Sequence, residues 1–414
     1  MYFSNIKSFV LKIVYHFITT FFQWVLPILG ITSKKMQLFT QGRKKVWQQL
    51  QTQDFKNNDW YWFHCASLGE YEQAVPLIQK IKDTSSKKIL VSFFSPSGYE
   101  QKKKHHLIDF ACYLPIDTPK NAQKFVQIIQ PEKAFFVKYE FWENYFFQLQ
   151  KHQIPIFMVS AAFRENQIYF KWYGSFFKNT LKRVTHFFVQ NSFSLEILKK
   201  QGFKNVSVSG DTRFDRVYAQ LRMDNHLDFM EKFKQDRLCV VLGSTWPECE
   251  NAFAEVINQS PKEVCFVIAP HEIKTEKINS LKSKITTSVS TFNLGVDCNS
   301  QVLIVDTVGY LSRIYSYADI AYVGGAMGTT GLHNILEPAT FGMPIIIGPN
   351  HSKFPEAENL KNYGGLSVVE NAIQFQEVFC KLIENKEYRD QMSSASAQFV
   401  KSQIGASQII VNHL

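Results

Sequence analysis

The chain has 414 residues, 45% of them hydrophobic and 20% charged, which is long enough for two ordinary domains and too apolar for a disordered protein. Lys and Arg outnumber Asp and Glu by 46 to 36, and the resulting +10 calls for anionic partners: nucleic acid, anionic lipid or a phosphorylated substrate. Seven cysteines (Cys65, Cys112, Cys239, Cys249, Cys265, Cys298, Cys380) never form a CxxC pair, which excludes a disulfide framework and a zinc ribbon and reads as free thiols in a reducing compartment.

From Phe9 to Ile31 the chain is apolar and aromatic, interrupted by Lys12, His16 and Gln23, and it lacks a small-residue cleavage site. Its length is about that of a membrane span. Lys12 and His16 are costly at mid-bilayer, so a helix lying in the interface, or one buried against the first domain, stands beside the span as an alternative. Lys34, Lys35, Arg43, Lys44 and Lys45 follow directly. By the positive-inside tendency they keep the rest of the chain cytoplasmic, and they attract anionic headgroups.

Apolar runs then alternate with helical patterns, as in repeated βα units. Trp60 to His64, Lys88 to Phe94, Ala134 to Val137, Ile156 to Val159, Phe187 to Val189 and Val206 to Ser209 read as strands of a parallel sheet, with a helix from Glu72 to Lys82 after the first. In such sheets the chemistry collects at the carboxyl ends of the strands. The first strand runs into Cys65-Ala66-Ser67-Leu68-Gly69-Glu70, where Glu70 reads equally as a general base and as a helix-start carboxylate. Ser95-Pro96-Ser97-Gly98 offers hydroxyls and turn amides to a carboxylate or phosphate, or is an ordinary turn. Lys138-Tyr139-Glu140-Phe141-Trp142-Glu143-Asn144 mixes charge with aromatics; Tyr139 and Trp142 are expected in the core or in helix packing. Ser160 to Arg164 ends a strand with a cation. In Gly210-Asp211-Thr212-Arg213-Phe214-Asp215, Arg213 reaches toward a leaving phosphate or pairs with Asp211 or Asp215.

A charged helical linker spans Arg216 to Arg237, and a second βα series begins at Leu238 to Leu242. That strand ends in Gly243-Ser244-Thr245-Trp246-Pro247-Glu248, small hydroxylated residues suited to an anion at a helix start. Val264 to Ile268 leads to Pro270-His271, and Val302 to Val305 leads to Val308-Gly309-Tyr310, where Gly309 permits close backbone approach. The strand Ile320 to Val323 opens the richest stretch, Gly324-Gly325-Ala326-Met327-Gly328-Thr329-Thr330-Gly331-Leu332-His333-Asn334-Ile335-Leu336-Glu337-Pro338. It reads as a glycine loop offering amides to an anion, then a short helix closed by Gly342, with His333, Asn334 and Glu337 on its first turn. A carboxylate there repels phosphate, so Glu337 suits a hydroxyl pair such as a ribose. The expected division is a membrane-associated helix over 1–33, an acceptor domain over 34–215, a nucleotide domain over 216–390 and a closing helix over 391–414. Together these give an α/β protein of two Rossmann-like domains facing a cleft, the GT-B architecture of nucleotide-sugar glycosyltransferases.

In order and spacing, His64 to Glu70 with Gln73-Ala74 and Pro76-Leu77, Ser95 to Gly98, Tyr113 to Asp117, Glu140-Phe141-Trp142, Gly210 to Asp215, Gly243 to Thr245 and Gly324 to Pro338 resemble the Kdo transferases, which move 3-deoxy-D-manno-octulosonic acid from CMP-Kdo to lipid A precursors. The resemblance implies that Glu70 is the catalytic base and that Arg213, where the family usually has Lys, stabilises departing CMP. It maps CMP contacts to Pro270-His271, Val308-Gly309-Tyr310 and Asn334-Ile335-Leu336-Glu337. Ser244, Thr245 and Gly325 join them on the donor side, and Ser95, Ser97 and Arg164 on the acceptor side. Three departures stand out. Lys138 and Glu143 replace a Glu and a Pro of the family's Glu-Thr-Glu-hydrophobic-Trp-Pro element, leaving its transition-state role to Lys138 or Glu140. Pro270 replaces the Arg of an Arg-His pair, and Val308-Gly309-Tyr310 replaces Met-Gly-Glu. The expected partners are CMP-Kdo, a lipid A precursor and anionic lipids of the inner membrane, with no cofactor, no metal and no nucleic acid. Alternatives are another transferase or an epimerase of the same architecture, and a non-enzymatic basic protein of the membrane surface.

Overall fold

The computed structural model describes residues 2–56 and 59–414. The chain forms two compact units, one running to Arg216 and taking back Gly405–Leu414, the other Val217–Ile404.

The sheet of the first unit has seven parallel strands: β1 Trp60–Cys65, β2 Lys88–Phe93, β3 Phe110–Tyr113, β4 Lys133–Val137, β5 Ile156–Ala161, β6 His186–Val189 and β7 Val206–Val208, in the order β3-β2-β1-β4-β5-β6-β7. Aromatic and β-branched runs form these strands because helices cover both faces of the sheet, so no face need be polar. All six residues of β1 are buried, and Phe63 stacks on Phe135 of β4 at 4.5 Å. The chain leaves β1 toward β2 on one side and returns as β4 on the other, so the crevice of the switch point opens between the ends of β1 and β4.

The second unit repeats the plan with β8 Leu238–Thr245, β9 Val264–Pro270, β10 Val289–Thr291, β11 Val302–Ile304, β12 Ile320–Val323, β13 Ile345–Ile347 and β14 Leu366–Val368, ordered β10-β11-β9-β8-β12-β13-β14 and parallel throughout. Its switch point lies between β8 and β12.

The closing helix expected over 391–414 is two helices, Lys386–Gln403 and Ala406–His413, which belong to different units. Gly405, at φ 112, breaks them apart in a conformation that glycine tolerates best. Asp215 accepts from the Gly405 and Ser407 amides at 2.5 and 2.7 Å, which pins the last helix to the first unit.

The N-terminal helix Tyr2–Leu29 turns its apolar side outward. Ile13, Phe17, Phe21, Trp24 and Ile28 are exposed, Phe17 by 70% and Trp24 by 78%. Its inward side is mixed: Leu26 and Phe22 pack with Phe39 and Ile116, the Tyr15 hydroxyl donates to Asp117 Oδ2 at 2.6 Å, and Gln23 accepts from Asn121 at 2.8 Å. The reading of a helix buried by its apolar face is therefore set aside. The segment Phe9–Leu29 is long and apolar enough to cross a membrane. Asp117 is fully buried and also receives the Asn144 and Tyr145 amides at 3.2 Å; burial raises its pKa to about 7.

Candidate active site

At the end of β1, Ser67 caps the helix Leu68–Thr84 and Glu70 completes a capping box. Glu70 Oε2 takes the amides of Ala66 and, at 3.3 Å, Ser67; Oε1 accepts no hydrogen bond among the described residues. The carboxyl group thus serves the helix with one oxygen and leaves the other unengaged among the described residues. Burial, and next the nearby Glu140 carboxylate, raise its pKa to about 7, against the lowering pull of the Ala66 amide and Lys138. That is the range a base working near neutral pH needs.

Lys138 and Glu140 follow β4, so the switch point brings the three charged residues together. Lys138 sits at φ 61, a left-handed conformation uncommon for a side chain larger than glycine. Glu140 is held by Trp142 and His64. Trp142 packs partly buried against the core, as expected, and also donates its indole N–H to Glu140 Oε2 at 3.0 Å. Tyr139, expected likewise, is 39% exposed. His64, buried in β1, places Nε2 3.5 Å from Glu140 Oε2. Ser92 Oγ receives the Trp62 indole at 2.8 Å and lies 2.9 Å from His64 Nδ1. If the hydroxyl donates to Nδ1, the neutral imidazole carries its proton on Nε2, on the side of Glu140. A histidine in an otherwise aromatic, fully buried strand is the signal that marks this position. Glu143, which departs from the family pattern, is buried and pairs with Arg183 at 2.6 Å and with Thr180; it holds structure together away from the chemistry.

Arg213 pairs with Asp211, its Nε 2.8 Å from Oδ2, while Asp211 Oδ1 also takes Gln73 Nε2 at 3.2 Å. Ser95 Oγ lies 2.7 Å from Ser97 Oγ and accepts the Ser97 amide, so this pair caps the short helix Pro96–Lys102. Arg164 is exposed on the loop after β5, its amide bonded to Gln167.

In the second unit, Gly324 and Gly325 are required by space. A Cβ on Gly324 would lie 2.1 Å from the Ser244 carbonyl oxygen, and one on Gly325, at φ 96, 2.0 Å from that of Gly331. The loop doubles back on itself and packs on the kinked end of β8, where Ser244 is at φ 54. From the far side Asn350 holds the loop, its side chain donating to the Gly328 carbonyl at 2.9 Å. The helix starts only at Leu336, so His333 and Asn334 precede it instead of occupying its first turn; Asn334 Oδ1 accepts the Leu336 amide in a tight turn that delays the helix. Glu337 accepts from Asn334 at 3.0 Å and from Ser312 at 2.9 Å, tying the glycine loop to the segment that follows Val308-Gly309-Tyr310. Val308 is exposed, Gly309 is at φ 96, and Tyr310 packs edge-on against Phe229.

His271, after Pro270, stacks on Trp246 at 4.5 Å and meets His333 at 4.6 Å. The Trp246 indole donates to His333 Nε2 at 3.1 Å, leaving the proton of a neutral ring on Nδ1. Burial, and then His271, lower the His333 pKa to about 4, so the ring is neutral at physiological pH. Trp246 was not among the residues singled out, although its place after Gly243-Ser244-Thr245 marks it as a strand-end residue.

Two doubly wound parallel α/β units in one chain define the GT-B fold class. Residues 37–216 match the family described as 3-deoxy-D-manno-octulosonic-acid transferase (kdotransferase). The chain is 26% identical to the 3-deoxy-D-manno-octulosonic acid transferase of Haemophilus influenzae over 371 residues, 85% of each chain. It is also 26% identical over 357 residues to a bifunctional glycosyltransferase/methyltransferase of Fusobacterium nucleatum, covering 82% of this chain but spanning only 54% of that protein. Among solved structures, the UDP-GlcNAc 2-epimerase of Neisseria meningitidis shares the fold with a TM-score of 0.63 at 17% identity, over 85% of this chain and 98% of that one. Residues 37–216 thus carry the Kdo transferase domain, and Kdo transferase homologues at about 26% identity over most of the chain support a glycosyltransferase of lipopolysaccharide biosynthesis.

Proposed function

We propose that the enzyme transfers Kdo from CMP-Kdo to a sugar hydroxyl of a tetra-acylated lipid A precursor, with inversion at the anomeric carbon. The observation that carries this reading is Glu70, a carboxyl group with one unengaged oxygen and a pKa near 7 at the switch point of the first unit. Glu70 takes the hydroxyl proton, the acceptor oxygen bonds to the anomeric carbon, and the bond from that carbon to the phosphate oxygen breaks with its electron pair leaving on CMP. Lys138 and Glu140 tune the base and the charge around it. Arg213 meets the negative charge on the leaving phosphate, with Asp211 setting the direction of its guanidinium.

The second unit holds the donor. Loop amides around Gly325, together with Ser244 and Thr245, take the phosphate; Glu337 takes the ribose hydroxyls, and Asn334 fixes that carboxylate. Pro270-His271, Val308-Gly309-Tyr310 and the Ile335-Leu336 backbone complete the CMP contacts, while Ser95, Ser97 and Arg164 meet the acceptor. CMP is expected to raise the melting temperature in proportion to the logarithm of its concentration above Kd, and UDP at equal concentration to leave it unchanged. Protection by UDP alone would move the reading to another nucleotide-sugar enzyme of this fold.

The helix Tyr2–Leu29 lies in the plane of the inner membrane on the cytoplasmic face, its outward aromatic face in the acyl region and Lys34, Lys35, Lys44 and Lys45 near the anionic headgroups. Burying Phe17 and Trp24 contributes roughly 2–3 kcal/mol each to membrane partitioning. The double variant Phe17→Asp, Trp24→Asp is therefore expected to move from the membrane to the soluble fraction with an unchanged melting temperature, and its retention on membranes would contradict this placement.

A further inference from the structure

A cavity of about 230 Å³ opens between the helices Tyr2–Leu29 and Lys34–Leu50 and the helix Pro119–Ile129, with Leu26, Pro27, Arg43, Lys44, Trp47 and Asn121 on its walls. Arg43 is the unusual member. It is 8% exposed, and its guanidinium lies 3.6 Å from the Phe39 ring centre and 4.6 Å from that of Phe94. It donates to the carbonyls of Phe39 and Phe94 at 3.2 and 2.7 Å. No carboxylate pairs with it among the described residues, and its Nε is buried with no hydrogen-bond partner. Burial lowers its pKa to about 9.

A buried cation without a counter-charge is costly, and the cost is relieved when an anion binds beside it. Two more cations stand close to the cavity: Lys44 on its wall, exposed, and Lys124, whose ammonium lies 4.5 Å over the Trp47 ring. The rest of the wall joins apolar surface from Leu26, Pro27, Trp47 and Ile116 to the polar side chains of Gln23, Thr40 and Asn121. The cavity borders the helix whose outer face is aromatic and aliphatic. Cations on one side and apolar surface on the other match an anion covalently joined to an alkyl chain.

We propose that this cavity binds the phosphoester group of an amphiphile, the phosphate meeting Arg43 and Lys44 and the adjoining chain lying along Leu26, Pro27 and Trp47. The alkyl part rests on the interfacial placement of the N-terminal helix; the anion part does not. Binding is read without turnover, so its failure is distinguishable from failure of Kdo transfer.

The test uses the full chain in neutral detergent, with bound molecules counted by native mass spectrometry. The probes are dihexanoylphosphatidylglycerol, dihexanoylphosphatidylcholine and inorganic phosphate. One phosphatidylglycerol per chain is expected, held at least tenfold more tightly than phosphatidylcholine. Arg43→Met and Lys44→Glu are each expected to weaken it tenfold or more; Lys44 is exposed, so its variant keeps the fold even where Arg43→Met does not. Competition by inorganic phosphate at equal concentration assigns the site to the phosphate alone, and competition by the anionic lipid only assigns it to the whole amphiphile. Equal retention of the two lipids, or phosphatidylglycerol binding unchanged in Lys44→Glu, overturns the proposal.

Discussion

A Glu70→Gln enzyme is expected to lose roughly 10²-fold or more in kcat/KM while keeping its stability within about 1 kcal/mol of the parent. The two effects separate because Gln also completes a capping box, so the Ala66 and Ser67 amides keep a partner while the group can no longer accept a proton. Turnover near that of the parent would remove Glu70 from the chemistry. The pH dependence follows from the same carboxyl group. Its folded pKa of about 7 lies above the ordinary 4.5, so the base is protonated below about 7 and kcat/KM rises with pH through that value. For stability the sign is the reverse of a salt-bridged carboxylate. Between about 4.5 and 7 the folded state holds a proton that the unfolded state has lost, and this contribution to stability declines as pH rises through that window. Glu140→Gln removes one of the two causes of the raised pKa, so the acid limb of the rate profile is expected to move to lower pH, with burial keeping it above 4.5.

Gly325→Ala is expected to cost roughly 3 kcal/mol or more in the second unit and to abolish measurable CMP binding. A methyl group there lies 2.0 Å from the Gly331 carbonyl oxygen and 3.0 Å from its carbon, both backbone atoms, at a backbone φ of 96. The loop must open, and the amides offered to the phosphate disperse with it. Chemical denaturation and calorimetric titration with CMP check the two halves. Gly328→Ala is the control, since the nearest atom to its new methyl, at 3.3 Å, belongs to the flexible Glu248 side chain. Equal CMP affinity in Gly325→Ala and the parent would place the phosphate elsewhere.

The doubly wound sheets were legible because buried parallel strands leave long aromatic and β-branched runs; the bounds of β12 match the expected ones residue for residue. Three short edge strands left no such mark. β10 and β14 have three residues each at sheet edges, and β3, Phe110–Tyr113, is a four-residue run without alternation. Glu70 was visible through its loop, and its helix-start reading holds: it caps the helix with Oε2, while Oε1 accepts no hydrogen bond among the described residues. The support of Glu140 by His64 and Trp142 was hidden, because β1 and the β4 loop are far apart in sequence and meet only through sheet order. The inverted N-terminal helix was hidden for a similar reason: hydropathy gives the apolar length, whereas the direction of the apolar face depends on Asp117 and Asn121, about a hundred residues on.

The central claim is that this chain joins Kdo to lipid, with Glu70 as base. The most direct measurement is incubation of the purified full chain with CMP-Kdo and a tetra-acylated lipid A precursor at pH 8, followed by mass analysis of the lipid. The account predicts lipid heavier by whole Kdo residues, one CMP released per residue added, and almost none of either with Glu70→Gln. Unchanged lipid with CMP-Kdo, or a product formed equally well by Glu70→Gln, would contradict it.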